Sequence, residues 1–188
     1  MSTEIEIWTQ QSKKLRDLLS KEQRLTVKEK YIRRKYGAQA KIFLKAYGFF
    51  IKEAKKIVEK PEDAEYPFWA AADPQTALSG GSGFLFKLEV DKEKVIFFDK
   101  KKWNKILNLS YIPDDQEDLI EHKMILKRQG ITDDSRIVLS PHYPILKNKI
   151  IESWQKLFEG ENDGFTAEKR GAAVWEIKKD WVEEIREI

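Results

Sequence analysis

Cysteine is absent from the 188-residue chain. Its absence excludes disulfides, thiolate zinc sites and a cysteine nucleophile. Histidine is scarce: His122 and His142 are the only two, and neither stands in H-E-x-x-H spacing, so no metal is expected. No apolar run approaches the roughly 18 residues of a membrane span. The N-terminus carries acids where a signal peptide would place a basic start and an apolar core. Together these absences predict a cytoplasmic chain that avoids the membrane. The glycine-rich stretch "SGGSG" at 79–83 lacks the G-K-[ST] ending of a phosphate loop, and it precedes a strand pattern rather than a helix. It reads as a connector.

What is present is charge and aromatic bulk. Charged residues make up 36% and aromatics 12% of the chain, with six tryptophans, enough to build a core and to argue against a disordered chain. The length fits a single domain over residues 1–188. Net charge is +3, unevenly spread: residues 1–60 sum to +9 and residues 61–188 to −6. A basic N-terminal third suits a nucleic-acid or acidic protein partner, and equally suits solvated helix faces. The run "KEKYIRRK" interleaves cations with Tyr31 and Tyr36, the residue types that meet phosphates and stack on bases.

Periodicity orders the elements. Ile5 and Ile7 alternate with Glu4 and Glu6, a half-buried strand, and the alternation stops at Trp8-Thr9-Gln10-Gln11. Ser12 caps a helix carrying Leu15, Leu18 and Leu19. Thr26 and Glu29 form a T-x-x-E box ahead of a second helix. Phe43, Tyr47, Phe50, Ala54 and Ile57 mark a third, with Pro61 past its end. "YPFWAA" reads as a strand and "DPQTALSGGSG" as a loop. "FLFKLEV" and "KVIFF" read as two strands joined by a "DKEK" turn. Asp99 caps "KKWNKILN". Residues 113–121 are an exposed acidic stretch where a short helix begins. "SRIVLS" reads as a strand. "ILKNKIIESWQKLF" is a helix with Leu146, Ile150, Trp154 and Leu157 on one stripe. "EGENDG" is a loop, "AAVWEI" a strand, and "WVEEIREI" a strand or short helix. The order implies an α+β fold, a mixed or mostly antiparallel sheet flanked by helices. Glu176 is an acid inside the apolar strand "AAVWEI". It is either a solvent-facing strand residue or a carboxylate poised to steady positive charge on a substrate.

The motifs resemble a bacterial and phage-associated family catalogued as a domain of unknown function. Its "W-T-x-Q" start is matched by Trp8, Thr9 and Gln11. An "AY" helix and "Y-P-x-W-A" are matched by Ala46-Tyr47 and by Tyr66, Pro67, Trp69 and Ala70. "D-x-x-x-W-x-x-x-L-N" is matched by Asp99, Trp103, Leu107 and Asn108. "S-W-x-x-[IL]-F" and "W-E-[IL]" are matched by Ser153, Trp154, Leu157 and Phe158, and by Trp175, Glu176 and Ile177. Two positions depart from the pattern. Gly171 stands where the family carries Gln, and Asn104 where it often carries His.

More loosely, the layout is similar to that of ADP-ribosyltransferases: a first strand ending in a polar motif, a strand with an aromatic, a two-strand hairpin and a last strand bearing an acid. That resemblance implies NAD as co-substrate and no metal. Thr9 and Gln11 would serve as ribose-side donors with Trp8 beside them, Tyr66 or Trp69 as the stacking face, and Glu176 as the acid that stabilises an oxocarbenium-like state. The acceptor would be a nucleic acid or protein, in a toxin or phage-conflict setting. The alternative is a non-catalytic module that binds nucleic acid or protein through the basic N-terminal third.

Overall fold

The computed structural model describes residues 3–78, 80–159 and 169–188. Strand β1 (Glu4–Gln11) runs through the whole opening stretch, so "WTQQ" is strand. Ser12 caps α1 (Lys13–Lys21), its hydroxyl accepting the Leu15 N–H at 3.3 Å. The box expected at Thr26 and Glu29 does not form. Thr26 is taken into a short strand, β2 (Arg24–Thr26), which periodicity did not indicate. Lys28 therefore precedes α2 (Glu29–Tyr36) with no side-chain cap. The free Glu29 N–H is held instead by Glu65 Oε2 at 2.7 Å, a carboxylate at a helix N-terminus. Gly37 ends α2 at φ +52, and a 3₁₀ turn leads into α3 (Ala40–Ala54). That helix buries Ala46, Tyr47, Phe50 and Ala54, whereas Ile57 lies past its end and is exposed.

Strand β3 (Phe68–Ala71) follows. Inside the expected loop, Asp73 caps a one-turn helix, α4 (Pro74–Ala77), by accepting the Gln75 and Thr76 N–H groups. Strands β4 (Phe84–Asp91) and β5 (Ile96–Asp99) match their patterns, and Asp99 caps α5 (Lys100–Leu107) as expected. The acidic stretch feeds α6 (Gln116–Arg128), capped by Asp115, which buries His122 and Leu126. "SRIVLS" is helix, not strand: α7 (Asp134–Leu139) is capped by Asp133. A short apolar run carries no decisive period, and the cap decides it. Then come α8 (Pro144–Ser153), continued by a 3₁₀ turn through Phe158, and strands β6 (Arg170–Val174), β7 (Glu176–Lys178) and β8 (Val182–Glu187). The chain end is strand, the first of its two expected forms. The "EGENDG" loop beyond Glu159, and Ser79 of "SGGSG", lie outside the described residues.

The fold is α+β. Its six-stranded sheet has the order β5-β6-β3-β1-β4-β8, with every pairing antiparallel, and β2 and β7 form a separate pair. Two expectations fail here. First, β4 and β5 are consecutive but not paired; three strands lie between them. Four spacings of ~4.8 Å would put them ~19 Å apart in a flat sheet. The five steps from Asp91 to Ile96 reach at most ~18 Å, and Lys92–Lys94 is wound into a 3₁₀ turn. The sheet therefore curls, and Val90 and Val95 meet in one buried cluster. Second, "AAVWEI" breaks at Trp175, so Glu176 leaves the main sheet and pairs with Thr26 of β2.

The sheet separates two cores by strict alternation. One holds Ile96, Phe98 and Ala173 against Tyr47, Phe50 and Trp103 of the helices. The other holds Ile7, Phe86, Leu88, Phe97, Ala172 and Val174 against Leu19 of α1 and Leu25 and Ile177 of the small sheet.

Candidate functional site

The opening motif divides across the sheet. In register, Ile7, Thr9 and Gln11 oppose Leu88, Phe86 and Phe84, and so face the second core. Trp8 opposes Lys87 and Ala71 and faces the other way. Thr9 is 1% exposed. Its hydroxyl donates to the Trp69 carbonyl at 2.7 Å, and the Gln11 side-chain amide donates to that hydroxyl at 2.7 Å. The pair thus ties β1 to β3 through a backbone acceptor. Trp8 is covered by its own chain's cations: Arg186 and Lys87 lie 5.5 and 6.0 Å from the ring centroid.

Trp69 also faces the helices. Its ring lies 4.9 Å from Trp103, 4.8 Å from Phe50, 5.4 Å from Tyr47 and 5.7 Å from Phe98. Such offset and edge contacts are favourable beyond area alone. Tyr47 joins the same cluster, contacting Phe43, Tyr66, Trp69 and Trp103. Burial raises its phenol pKa, and the bond with Tyr36 adds to the effect.

Tyr66 and Glu176 reach the same neighbourhood through β2. Val27 bridges Tyr66 while Thr26 pairs with Glu176. The Tyr66 hydroxyl donates to Glu29 Oε2 at 3.1 Å. Burial, then that carboxylate, push the phenol up to about 12. Glu29 is held below the usual carboxylate range by Arg33 and by Tyr66. The Glu176 carboxylate is neither free nor solvent-facing. It is 13% exposed and ion-paired to Arg24, with Lys178 at 3.6 Å. Arg24 also grips Asp63 with two bonds of 2.8 and 2.9 Å. Those bonds raise the guanidinium pKa, Asp63 first and Glu176 second, and lower that of Asp63.

The structure therefore brings Thr9 to Gln11 and the Trp69 backbone, while Tyr66 and Glu176 only bridge consecutive residues, Val27 and Thr26, and keep separate partners, Glu29 and Arg24. It does not gather the five side chains around one opening. Two surface hollows flank Gly130, lined by residues such as Ile131, Arg136 and Tyr143, or Lys123 and Leu126. None of Trp8, Thr9, Gln11, Tyr66, Trp69 or Glu176 lines either. Among the described residues, no three His, Asp or Glu side chains form a group that would hold a metal, and no helix is long and apolar enough to cross a membrane. The two departures from the family pattern differ in kind. Asn104 is exposed, whereas Gly171 packs against Phe98.

Sequence reasoning missed Arg24, the partner of Glu176, because 152 residues separate them. It marked the basic N-terminal third and the "KEKYIRRK" run but not how far the run extends: between Glu29 and Glu53 stand seven Lys or Arg and no Asp or Glu. The structure puts this run on α2 and α3, which abut where Tyr36 stacks on Phe43 at 3.9 Å. Lys30, Tyr31, Arg33 and Arg34 of α2 are exposed, as are Lys41, Lys45 and Lys52 of α3. Arg33 pairs with Glu29 and Lys52 approaches Glu53. Among the described residues, no acid pairs with Lys41 or Lys45.

A family model described as a domain of unknown function, DUF3841, matches residues 6–183. No curated protein and no solved structure matches the chain.

Proposed function

The chain belongs to the DUF3841 family, and for this member of a family of unknown function we propose that it binds nucleic acid through the basic face of α2 and α3. The observation that carries this reading is the set of exposed cations, Lys41 and Lys45 among them, in the acid-free run between Glu29 and Glu53. Cations without local counterions release condensed counterions when they meet phosphates, and this drives affinity without base contacts. Exposed Tyr31, with Lys30 Nζ 5.3 Å from its ring centroid, adds a stacking surface. Fluorescence anisotropy with labelled single-stranded and duplex oligonucleotides tests the reading. Binding should weaken linearly in log salt, and each of Lys41→Ala and Lys45→Ala should reduce the slope by about 1. Undetectable binding at low salt, or binding indifferent to salt, overturns it.

NAD-dependent ADP-ribosyl transfer is the second reading, with NAD as co-substrate, Glu176 as the acid and Thr9 and Gln11 as ribose-side donors. It is supported by the segments that carry Tyr66 and Glu176 bridging consecutive residues, Val27 and Thr26, at the end of β2. Against it stand the Arg24 pairing of Glu176 and the division of Thr9 and Gln11 from Trp8 and Trp69 by the sheet. Labelled NAD offered with nucleic acid and protein acceptors distinguishes the readings. Transfer or nicotinamide release that Glu176→Gln abolishes would establish it. Neither signal in the wild type would eliminate it.

A further inference from the structure

Gly48 sits in the middle of α3, a 15-residue helix, where glycine is among the poorest choices. Three ordinary reasons for a glycine fail there. Its φ is not in the left-handed range, since Gly37, Gly80, Gly81 and Gly130 are the described positive-φ glycines. No neighbour excludes a side chain, because a Cβ built on Gly48 meets nothing within 4 Å. The helix does not end at Gly48 but continues to Ala54. Alanine would fit and would hold the helix better.

The position on the helix supplies a reason. Lys41, Lys45, Gly48 and Lys52 are all exposed at spacings of four, three and four residues, which is one stripe of an α-helix. The opposite stripe, with Ala46, Tyr47, Phe50 and Ala54, is buried. Gly48 is thus a gap in a row of lysines, where the helix backbone itself meets the outside. Glycine permits close approach of backbone to a ligand. The row from Lys41 to Lys52 spans about 16 Å at a rise of ~1.5 Å per residue, a length that several consecutive phosphates cover.

We infer that Gly48 is the point of closest approach for a nucleic-acid sugar-phosphate backbone lying along the Lys41–Lys45–Lys52 row. This rests on the nucleic-acid reading above and deepens it. The lysines attract the strand, and the missing side chain lets the strand settle against the helix. The contact is to backbone, so it is independent of base sequence.

Substitution at Gly48 separates this role from a structural one, because it moves stability and binding in opposite directions. The probes are a mixed-sequence 20-mer of single-stranded DNA and its duplex, titrated against the intact chain at several salt concentrations. Gly48→Ala should raise the thermal midpoint and weaken binding about twofold. Gly48→Gln should weaken it at least fivefold while leaving the salt slope unchanged, since no charge is altered. Lys45→Ala should instead reduce that slope. If both Gly48 variants bind as tightly as wild type while Lys45→Ala weakens binding, the inference is overturned and the basic-face reading stands. If wild type binds neither probe, the two fall together. A lowered thermal midpoint in Gly48→Ala overturns the inference by showing that the glycine serves the fold. Capture by phosphatidylserine vesicles with no binding to either oligonucleotide also overturns it.

Discussion

The ring of Phe98 occupies the space in which a side chain on Gly171 would begin. A Cβ built there falls 2.3 Å from Phe98 Cε2 and 2.4 Å from Cζ. Phe98 and Gly171 are register partners on β5 and β6, so the ring lies across the neighbouring strand and packs on Phe50 and Trp69. A side chain at position 171 is therefore excluded unless the Phe98 ring gives way.

Gly171→Ala should destabilise the protein by overpacking, on the order of 1–3 kcal/mol. Phe98→Leu alone should also destabilise it by leaving a void. The two changes are in contact, so they should not add. Urea unfolding of both single variants and the double variant measures the coupling. Simple additivity would show that the two residues do not share that space.

Thr9 offers a sharper test of a polar residue serving the fold. Thr9→Val keeps the shape but leaves the Trp69 carbonyl and the Gln11 amide without their partner. An unsatisfied buried group costs about 1–3 kcal/mol. Thr9→Ser retains the hydroxyl and should cost less. Equal stability of Thr9→Val and wild type in urea would leave the hydroxyl with no role in joining β1 to β3.

What could be read from the sequence was local. The Ser12 and Asp99 caps, the α3 stripe as far as Ala54 and the stripe of Ile150, Trp154 and Leu157 depend on residues a few positions apart, and these form. What failed was pairing. The hairpin expected of β4 and β5 is prevented by a sheet order that no local pattern encodes. Thr26 had a capping sequence and lost it to a strand partner 150 residues away. At the candidate site, the polar residues could be identified from the sequence but their partners could not. Thr9 meets a backbone carbonyl, which has no sequence signature, and Glu176 meets Arg24 across most of the chain.

His122 is buried at 2% exposure, its ring stacked on Tyr111 at 4.1 Å. Its Nε2 lies 2.6 Å from Asp134 Oδ1, while Oδ2 of the same carboxylate accepts the Tyr111 N–H at 2.7 Å. An ionised carboxylate only accepts, so Nε2 carries the proton; Nδ1 has no partner among the described residues. Two-bond ¹⁵N–¹H correlation spectra should show the Nε2–H form. Asp134→Asn can still accept from Tyr111 through its carbonyl, which turns its NH₂ toward His122 and should move the ring proton to Nδ1. An Nδ1–H spectrum in the wild type would refute this assignment.

Tyr66 gives the chain a stability loss at alkaline pH. Burial and then the bond to Glu29 raise its phenol to about 12 from the ordinary 10.0. A group whose folded pKa is raised contributes stability that is complete below its unfolded value and is lost as pH rises through the folded one. The contribution should therefore hold up to about pH 10 and disappear between 10 and 12. Tyr47 and Tyr111 are also raised, each by burial first, so they act in the same direction. Urea midpoints recorded from pH 8 to 12 should fall across that window, and Tyr66→Phe should fall less steeply. In absorbance at 295 nm, the phenolate step near 12 should be smaller in Tyr66→Phe than in wild type. A Tyr66→Phe profile that superimposes on wild type in both measurements would mean that the phenol ionises as it does in the unfolded chain, and that its bond to Glu29 contributes nothing to the anchoring of α2 on Tyr66.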